Sequence, residues 1–192
     1  CYNPQPYHAT NNPGGCTGLS SYFALDITNP EAPRLLWEFT HPNLGYSYSG
    51  PAVITRNGKY HIMFLSGPTG LDGSSTQNLL AFVLTLNPAV GLDRIESVHV
   101  WDSGSSVKNA IGGRLFTTGL DLDEDGNTDF VFFGESDTPS GKLDGLKGGV
   151  VRLWVKDDSP ANWEFTLNFI NLAKQPITAK VDATASMIFF AG

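Results

Sequence analysis

The residues best suited to chemistry in this chain fall in one stretch: Asp121-Leu122-Asp123-Glu124-Asp125-Gly126-Asn127-Thr128-Asp129. These nine positions hold five of the 19 acidic residues of the sequence. Carboxylates packed so closely repel one another unless a cation neutralises them. Alternate positions of a D-x-D-x-D-G run direct carboxylate oxygens towards one centre. Calcium, which takes six to eight hard oxygen ligands, suits that donor set better than magnesium, with its strict octahedron and retained waters. The spacing predicts Asp121, Asp123 and Asp125 as side-chain ligands, Asn127 as a backbone-carbonyl ligand, and Asp129 as closing the site directly or through water; an empty acidic turn or another divalent ion is the alternative. Gly126 is expected to make the sharp turn. Leu122 is expected to point into the core, and Glu124 to be a solvated outer charge.

The first nine positions are similar to those of a helix-loop-helix calcium site, but the continuation is not. Position twelve, where that site carries a bidentate Glu, is Phe132, and the loop runs into FVFFG, which reads as a buried strand. The loop is therefore expected between two strands. The related turns Arg56-Asn57-Gly58-Lys59 and Asp182-Ala183-Thr184-Ala185 lack the acids to hold a cation. One repeat thus has the site and two do not, which leaves room for a regulatory as well as a structural role.

The elements around the loop read as β throughout. Short alternating or continuous apolar runs are separated by Gly, Asn, Asp, Pro and Ser clusters. They are SYFALDIT, RLLWEFT, SGPAVIT, YHIMFLS, LLAFVLTL, ESVHVWD, RLFTTGLDL, TDFVFFGE, VVRLWVK, EFTLNFINL, TAKVDA and SMIFFAG. No dozen-residue segment carries a helical stripe. Two units alternate. One, a strand, a tight turn and a Phe-rich strand, occurs as SGPAVITRNGKYHIMFLSG, TTGLDLDEDGNTDFVFFGE and TAKVDATASMIFFAG. The other, a strand, a Pro-containing turn and a Trp-bearing strand, occurs as YFALDITNPEAPRLLWEF, AFVLTLNPAVGLDRIESVHVW and VVRLWVKDDSPANWEF. Aligned on Pro30, Pro88 and Pro160 the latter are spaced by 58 and 72 residues. That order predicts half a four-stranded blade, two whole ones and another half: an all-β, partial β-propeller of about three blade equivalents, with the alternative of a β-sandwich. About three blades cannot close a ring, so the chain is expected to be an arc of a longer propeller or to complete one with another chain.

Residues 1–18 form a separate Pro/Asn/Gly-rich opening bracketed by Cys1 and Cys16, and residues 19–192 the propeller portion. With no other thiol in the chain, a Cys1–Cys16 disulfide is the simplest reading, contributing roughly 3 kcal/mol by loop-closure entropy and fitting an oxidising compartment. Free thiols, or a lipid-modified Cys1, are the alternatives. A start at Cys1, without a signal-like segment, is expected of a processed product or of a piece of something larger.

The 192 residues suffice for one domain with a core; 41% are hydrophobic and 16% charged, unlike a disordered chain. A net charge of −7 argues against nucleic acid or an anionic membrane as the main partner. No apolar run approaches the roughly 20 residues of a membrane-spanning helix. His8, His41, His61 and His99 are scattered, and no nucleophile elbow, metal-binding His pair or phosphate-cradling glycine loop is present. Asp26 and Glu135 read as a turn stabiliser and a surface residue. The chain is expected not to be an enzyme. The nearest enzyme reading is a quinone-cofactor (PQQ-type) dehydrogenase: Ala24-Leu25-Asp26-Ile27-Thr28 with Trp37 loosely resembles the tryptophan-docking repeat of those propellers, although packing between blades accounts for Trp37 more simply, and for Trp101, Trp154 and Trp163 likewise.

Five segments occur in a suggestive order: YFALDITNPEAPRLLWEF with LGYSYSGPAVI, DLDEDGNTDFVFFGE, GGVVRLWVKD, and Gln175-Pro176-Ile177-Thr178-Ala179 before a Phe-rich strand. Together they resemble the C-terminal β-propeller of the PilY-type family of type IV pilus tip adhesins and pilus biogenesis factors. The resemblance covers residues 19–192. It implies secretion through the periplasm and display at the pilus tip or cell surface. It also implies partnership with pilins or minor pilins, adhesion to a surface or host ligand, and calcium control of pilus extension against retraction. By position it carries the calcium ligands onto Asp121, Asp123, Asp125, the Asn127 carbonyl and Asp129. A third reading is a structural extracellular propeller in which calcium is only a staple.

Overall fold

The computed structural model describes residues 20–116, 118–137, 147–172 and 175–191. Cys1 and Cys16 lie outside the described residues. Among those residues there is no α-helix, only two short 3-10 turns at Gly104–Ser106 and Pro160–Asn162, and no helix long and apolar enough to cross a membrane.

Among the described residues, twelve strands make four antiparallel sheets in chain order. β1 (Tyr22–Asp26) pairs with β2 (Arg34–Phe39). A four-stranded sheet follows: β3 (Ala52–Arg56), β4 (Lys59–Leu65), β5 (Leu80–Asn87) and β6 (Gly91–Asp102), each beside the next. The second four-stranded sheet orders β7 (Ala110–Gly112), β8 (Phe130–Asp137), β9 (Gly148–Trp154) and β10 (Glu164–Leu172) in the same way. β11 (Asp182–Ala183) and β12 (Ile188–Phe189) close the series as a two-stranded sheet. The strand pattern of two, four, four and two is the one expected from the alternating repeats.

One strand reading is corrected. Among its described residues RLFTTGLDL forms no regular strand; the partner of β8 is the earlier Ala110–Gly112, followed by an antiparallel bridge of Leu120 to Phe130. The reason lies in where its donors go. Arg114 N–H reaches Thr178 O at 3.0 Å and Leu115 N–H reaches Ser49 O at 2.9 Å, so the segment is drawn to the connections that precede β11 and β3 instead of pairing along β8. Thr118 likewise forms a parallel bridge with Val53.

Side chains of a strand alternate between faces, so a strand inside a stack of sheets must be apolar on both. β5, LAFVLTLN, is of this kind. Its Leu80, Phe82, Leu84 and Leu86 join Trp37, Phe39 and Phe64 in the core shared with β1–β2. Its Ala81 and Val83 join Ile54, Met63, Val131, Phe133 and Leu153 in the core shared with the second four-stranded sheet. The third core is much thinner: among the described residues, Val150, Ile177 and Val181 are fully buried between the second sheet and β11–β12. Burying a side chain of this size contributes about 1.5–3 kcal/mol, so the two inner cores carry most of the stability.

The tryptophans divide. Trp37 is buried between sheets, Trp101 stacks on Phe165 at 4.0 Å, and Trp163 meets the His61 ring edge-on at 5.0 Å, as packing between sheets requires. Trp154 is exposed, with the Lys156 ammonium 4.8 Å from its ring centre. Trp163 also precedes β10 rather than lying in it, because the Pro160–Asn162 turn holds it while its Nε1–H donates to Asp157 O at 2.8 Å.

Candidate metal centre

Backbone pairing sets the base of the acidic loop. Leu120 N–H donates to Phe130 O at 2.7 Å, and the Phe130 and Asp129 N–H groups both donate to Leu120 O. Residues 121–129 are thereby forced out as a closed bend at the start of β8. Gly126, at φ 87°, supplies the left-handed step that turns the chain back, and Glu124 takes a similar conformation at φ 61°.

Within the bend, carboxylates and backbone amides satisfy each other. Asp121 accepts from the N–H groups of Asp125 (3.2 Å) and Gly126 (2.8 Å), and Asp129 Oδ2 accepts from Leu122 N–H at 2.8 Å. These bonds fix Asp121 and Asp129 in place while leaving lone pairs on their oxygens, since a carboxylate has about four acceptor sites. Asp121, Asp123 and Asp129 each place one carboxylate oxygen within 4.8 Å of the others. This trio can hold a metal ion. Its donors are all anionic oxygens, which suits a hard divalent cation and not a thiolate- or imidazole-seeking one.

Asp125 stands outside the trio. Its Oδ1 accepts from Asn127 N–H at 2.7 Å and its Oδ2 from Asn127 Nδ2 at 3.0 Å; those bonds hold its carboxyl below the usual carboxylate range. The Asn127 side chain reaches across to the neighbouring sheet, accepting from Asn57 N–H at 2.8 Å. Leu122 does not enter the core: it is exposed, because the Asp129–Leu122 bond turns it to the rim of a groove shared with Phe130 and Phe132. Glu124 is exposed, as expected of an outer charge.

The turn that reads as a mere control in the sequence is the loop's main neighbour. Asn57 (φ 48°) and Gly58 (φ 75°) make the tight β3–β4 turn, with both central residues left-handed. Against it lies the second half of the acidic loop. Thr128 N–H donates to Thr55 O (2.8 Å), Thr55 N–H to Thr128 Oγ1 (3.2 Å) and Thr55 Oγ1 to Gly126 O (3.0 Å). Arg56 sends Nη1 to within 3.5 Å of Asp129 Oδ1 and donates through Nη2 to Lys156 O at 3.0 Å. Sequence reasoning missed this because the partners are more than 70 residues apart; the signal was there only as the basic character of the turn.

The remaining candidates separate. Asp26 caps its turn, accepting from Thr28 N–H at 3.0 Å and facing Arg34 at 3.4 Å. Glu135, read as a surface residue, is in fact buried on β8. Its Oε2 has no partner among the described residues, and burial, reinforced by Asp137, pushes its carboxyl up to about 7. The residue is enclosed because it lies on the same face of β8 as Val131 and Phe133. Asp26 and Glu135 lie in different sheets. His61 is buried against Thr85 Oγ1 at 3.1 Å, and burial pulls its pKa down to about 4. Comparison with protein-family models, with curated proteins and with solved structures gives no match for this chain.

Proposed function

We propose that this chain is a calcium-binding segment of a β-propeller in a pilus tip-associated adhesin or pilus biogenesis protein of the PilY type, with no catalytic role. The observation that carries the calcium part is the convergence of Asp121, Asp123 and Asp129 at the mouth of one bend. Backbone carbonyls and water complete the shell; the closely spaced acidic loop can offer the six to eight oxygens that calcium takes, whereas magnesium holds a strict octahedron and keeps its waters. The propeller reading is supported by the two-four-four-two order of sheets packed face to face. The pilus reading rests on the ordered motifs of residues 19–192. On it, the partners are pilins or minor pilins, an adhesion ligand and the remaining blades of the propeller, at the cell surface after passage through the periplasm.

Calcium acts here as a modulator more than as a staple. The bonds from Gly126 and Thr128 to Thr55, and from Asn127 to Asn57, join the loop to the next sheet through protein groups alone. Emptying the trio leaves those bonds in place and changes the charge at the mouth of the bend, beside Arg56. The test is Asp129→Asn in the complete parent protein, with surface pili and twitching motility scored across calcium concentrations. Calcium-independent piliation in the variant supports the reading; a calcium response identical to that of the unmutated protein refutes it.

A further inference from the structure

One buried carboxylate lies far from the acidic loop. Glu135 stands six residues beyond Asp129, about 20 Å along β8. It is 4% exposed, and its Oε2 has no hydrogen-bond partner among the described residues. Buried ionised groups are ordinarily paired with an opposite charge or bound to a metal. Native structures rarely leave such a group unpartnered unless a water or an ion serves it. Asp137, two residues along the same face of β8, repels Glu135, while Lys147 acts on Asp137.

The backbone around Glu135 leaves its carboxylate room. Its ladder neighbours on both sides are glycines, Gly112 on β7 and Gly149 on β9. They serve different ends. A side chain at 112 would strike Leu65 of the first four-stranded sheet, so Gly112 lets the sheets approach. A side chain at 149 would enter a ring of oxygens. Its Cβ would stand 3.0 Å from Glu135 Oε1, 3.0 Å from Ile170 O and 3.2 Å from Asn168 Oδ1. The last of these arrives through an irregularity of β10. Thr166 pairs with Arg152 and Ile170 with Val150, so Leu167, Asn168 and Phe169 stand together opposite Val151. Within this bulge Asn168 is left-handed, at φ 50°, a conformation uncommon for a residue with a side chain. Bulges re-aim side chains and recur beside functional sites. This one brings the side chain of an exposed Asn over Gly149, towards a buried Glu.

We propose that the spot over Gly149 is a second cation site, for one monovalent metal ion, sodium or potassium, held by Glu135, the Asn168 side-chain oxygen, the Ile170 carbonyl and water. The atoms around the spot are hard oxygens, one of them charged, which suits a hard cation. Charge sets its valence. Glu135 lacks one positive charge, and a divalent ion would bury a second one in excess, since Asp137 already has Lys147 beside it. The enclosure of Glu135 suits a bare ion better than an organic ammonium. The site is separate from the acidic loop and stands or falls independently of it.

The experiment is urea unfolding of the 192-residue chain at pH 8, above the Glu135 value of about 7, with calcium chelated. Sodium, potassium and choline chlorides are compared at equal ionic strength. Each protein is its own reference, so general screening and changes in overall stability drop out. In choline chloride the carboxylate keeps its full cost. The midpoint is expected to rise in the metal salts and to saturate at tens of millimolar, and the salt with the lower half-saturation identifies the ion. Glu135→Gln removes the charge, and Gly149→Ala fills the cradle with the charge left in place. Each should weaken the half-saturation at least tenfold, and the second variant decides if the first does not fold. Asn168→Asp should strengthen it by adding a carboxylate. If Asn168 were only a hydrogen-bond partner of Glu135, the same change would set two carboxylates against each other and lower the midpoint in every salt, which would overturn the proposal. Asp121→Asn combined with Asp129→Asn should leave the gain intact. Equal midpoints in the three salts, a gain that survives Glu135→Gln or Gly149→Ala, or one lost with the loop aspartates would likewise overturn it.

Discussion

Glu135 gives the fold a pH dependence whose sign is opposite to ordinary acid denaturation. Its folded-state carboxyl holds a proton up to about 7, while the unfolded chain releases it near 4.5. Between those values the folded state binds more protons, so stability falls as pH rises and the loss is complete by about pH 8. At 1.36 kcal/mol per pH unit the full effect is about 3 kcal/mol. Buried His61 acts the other way: neutral in the fold down to about 4 and charging near 6.5 when unfolded, it contributes stability above 6.5 that is lost as pH falls towards 4, about 3 kcal/mol in all. The two nearly cancel between pH 4.5 and 6.5. Glu135→Gln removes one arm. Urea melts are expected to show a near-level plateau for the unmutated chain over that range. The variant should instead gain about 2 kcal/mol from pH 4.5 to 6.5, and exceed the parent by about 2–3 kcal/mol at pH 8. Parallel stability curves for the two proteins from pH 4.5 to 8 would refute the buried, protonated Glu135.

Three further outcomes follow from the same geometry. Asp123→Asn, which relieves two carboxylate repulsions of about 1 kcal/mol each at this separation in water, should raise the melting temperature without calcium at low salt and blunt the calcium-induced rise. Arg56→Gln frees Asp129 Oδ1 from a competing cation; calorimetry should show calcium affinity rising by up to about tenfold, while calcium-free stability drops by about 1 kcal/mol with the lost bond to Lys156 O. Phe82→Ala empties the middle of the core between β1–β2 and the first four-stranded sheet, and should cost about 3–5 kcal/mol in chemical denaturation.

Much of the architecture was legible because its signals are local. Period-two patterning located eleven of the twelve strands, and the alternation of Phe-rich and Trp-bearing units anticipated the grouping into sheets of two, four, four and two. The seventh strand was misplaced because 114–122 has a strand's composition while the Arg114 and Leu115 amides bond to Thr178 and Ser49, in the segments that lead into β11 and β3. Faces were harder to read than strands. Aligning Asn29-Pro30 with Asn87-Pro88 would put Phe23 opposite Ala81, whereas the Ala24–Trp37 and Ala81–Trp101 pairs match it with Leu80. A one-residue slip exchanges the two faces of a strand. In the acidic loop, residue type and spacing brought out Asp121, Asp123 and Asp129. Spacing alone could not show that Asn127 captures Asp125, or that the basic turn at Arg56 and Asn57 packs against the loop, since neither depends on periodicity.

Calcium titration of the folded chain by isothermal calorimetry, in parallel with Asp121→Asn and Asp129→Asn, tests the metal centre most directly. The expected result is one saturable site in the parent, with affinity lowered at least 100-fold in either variant and far less in Asp125→Ala. A flat titration of the parent at millimolar calcium, or variants that bind as the parent does, would contradict it.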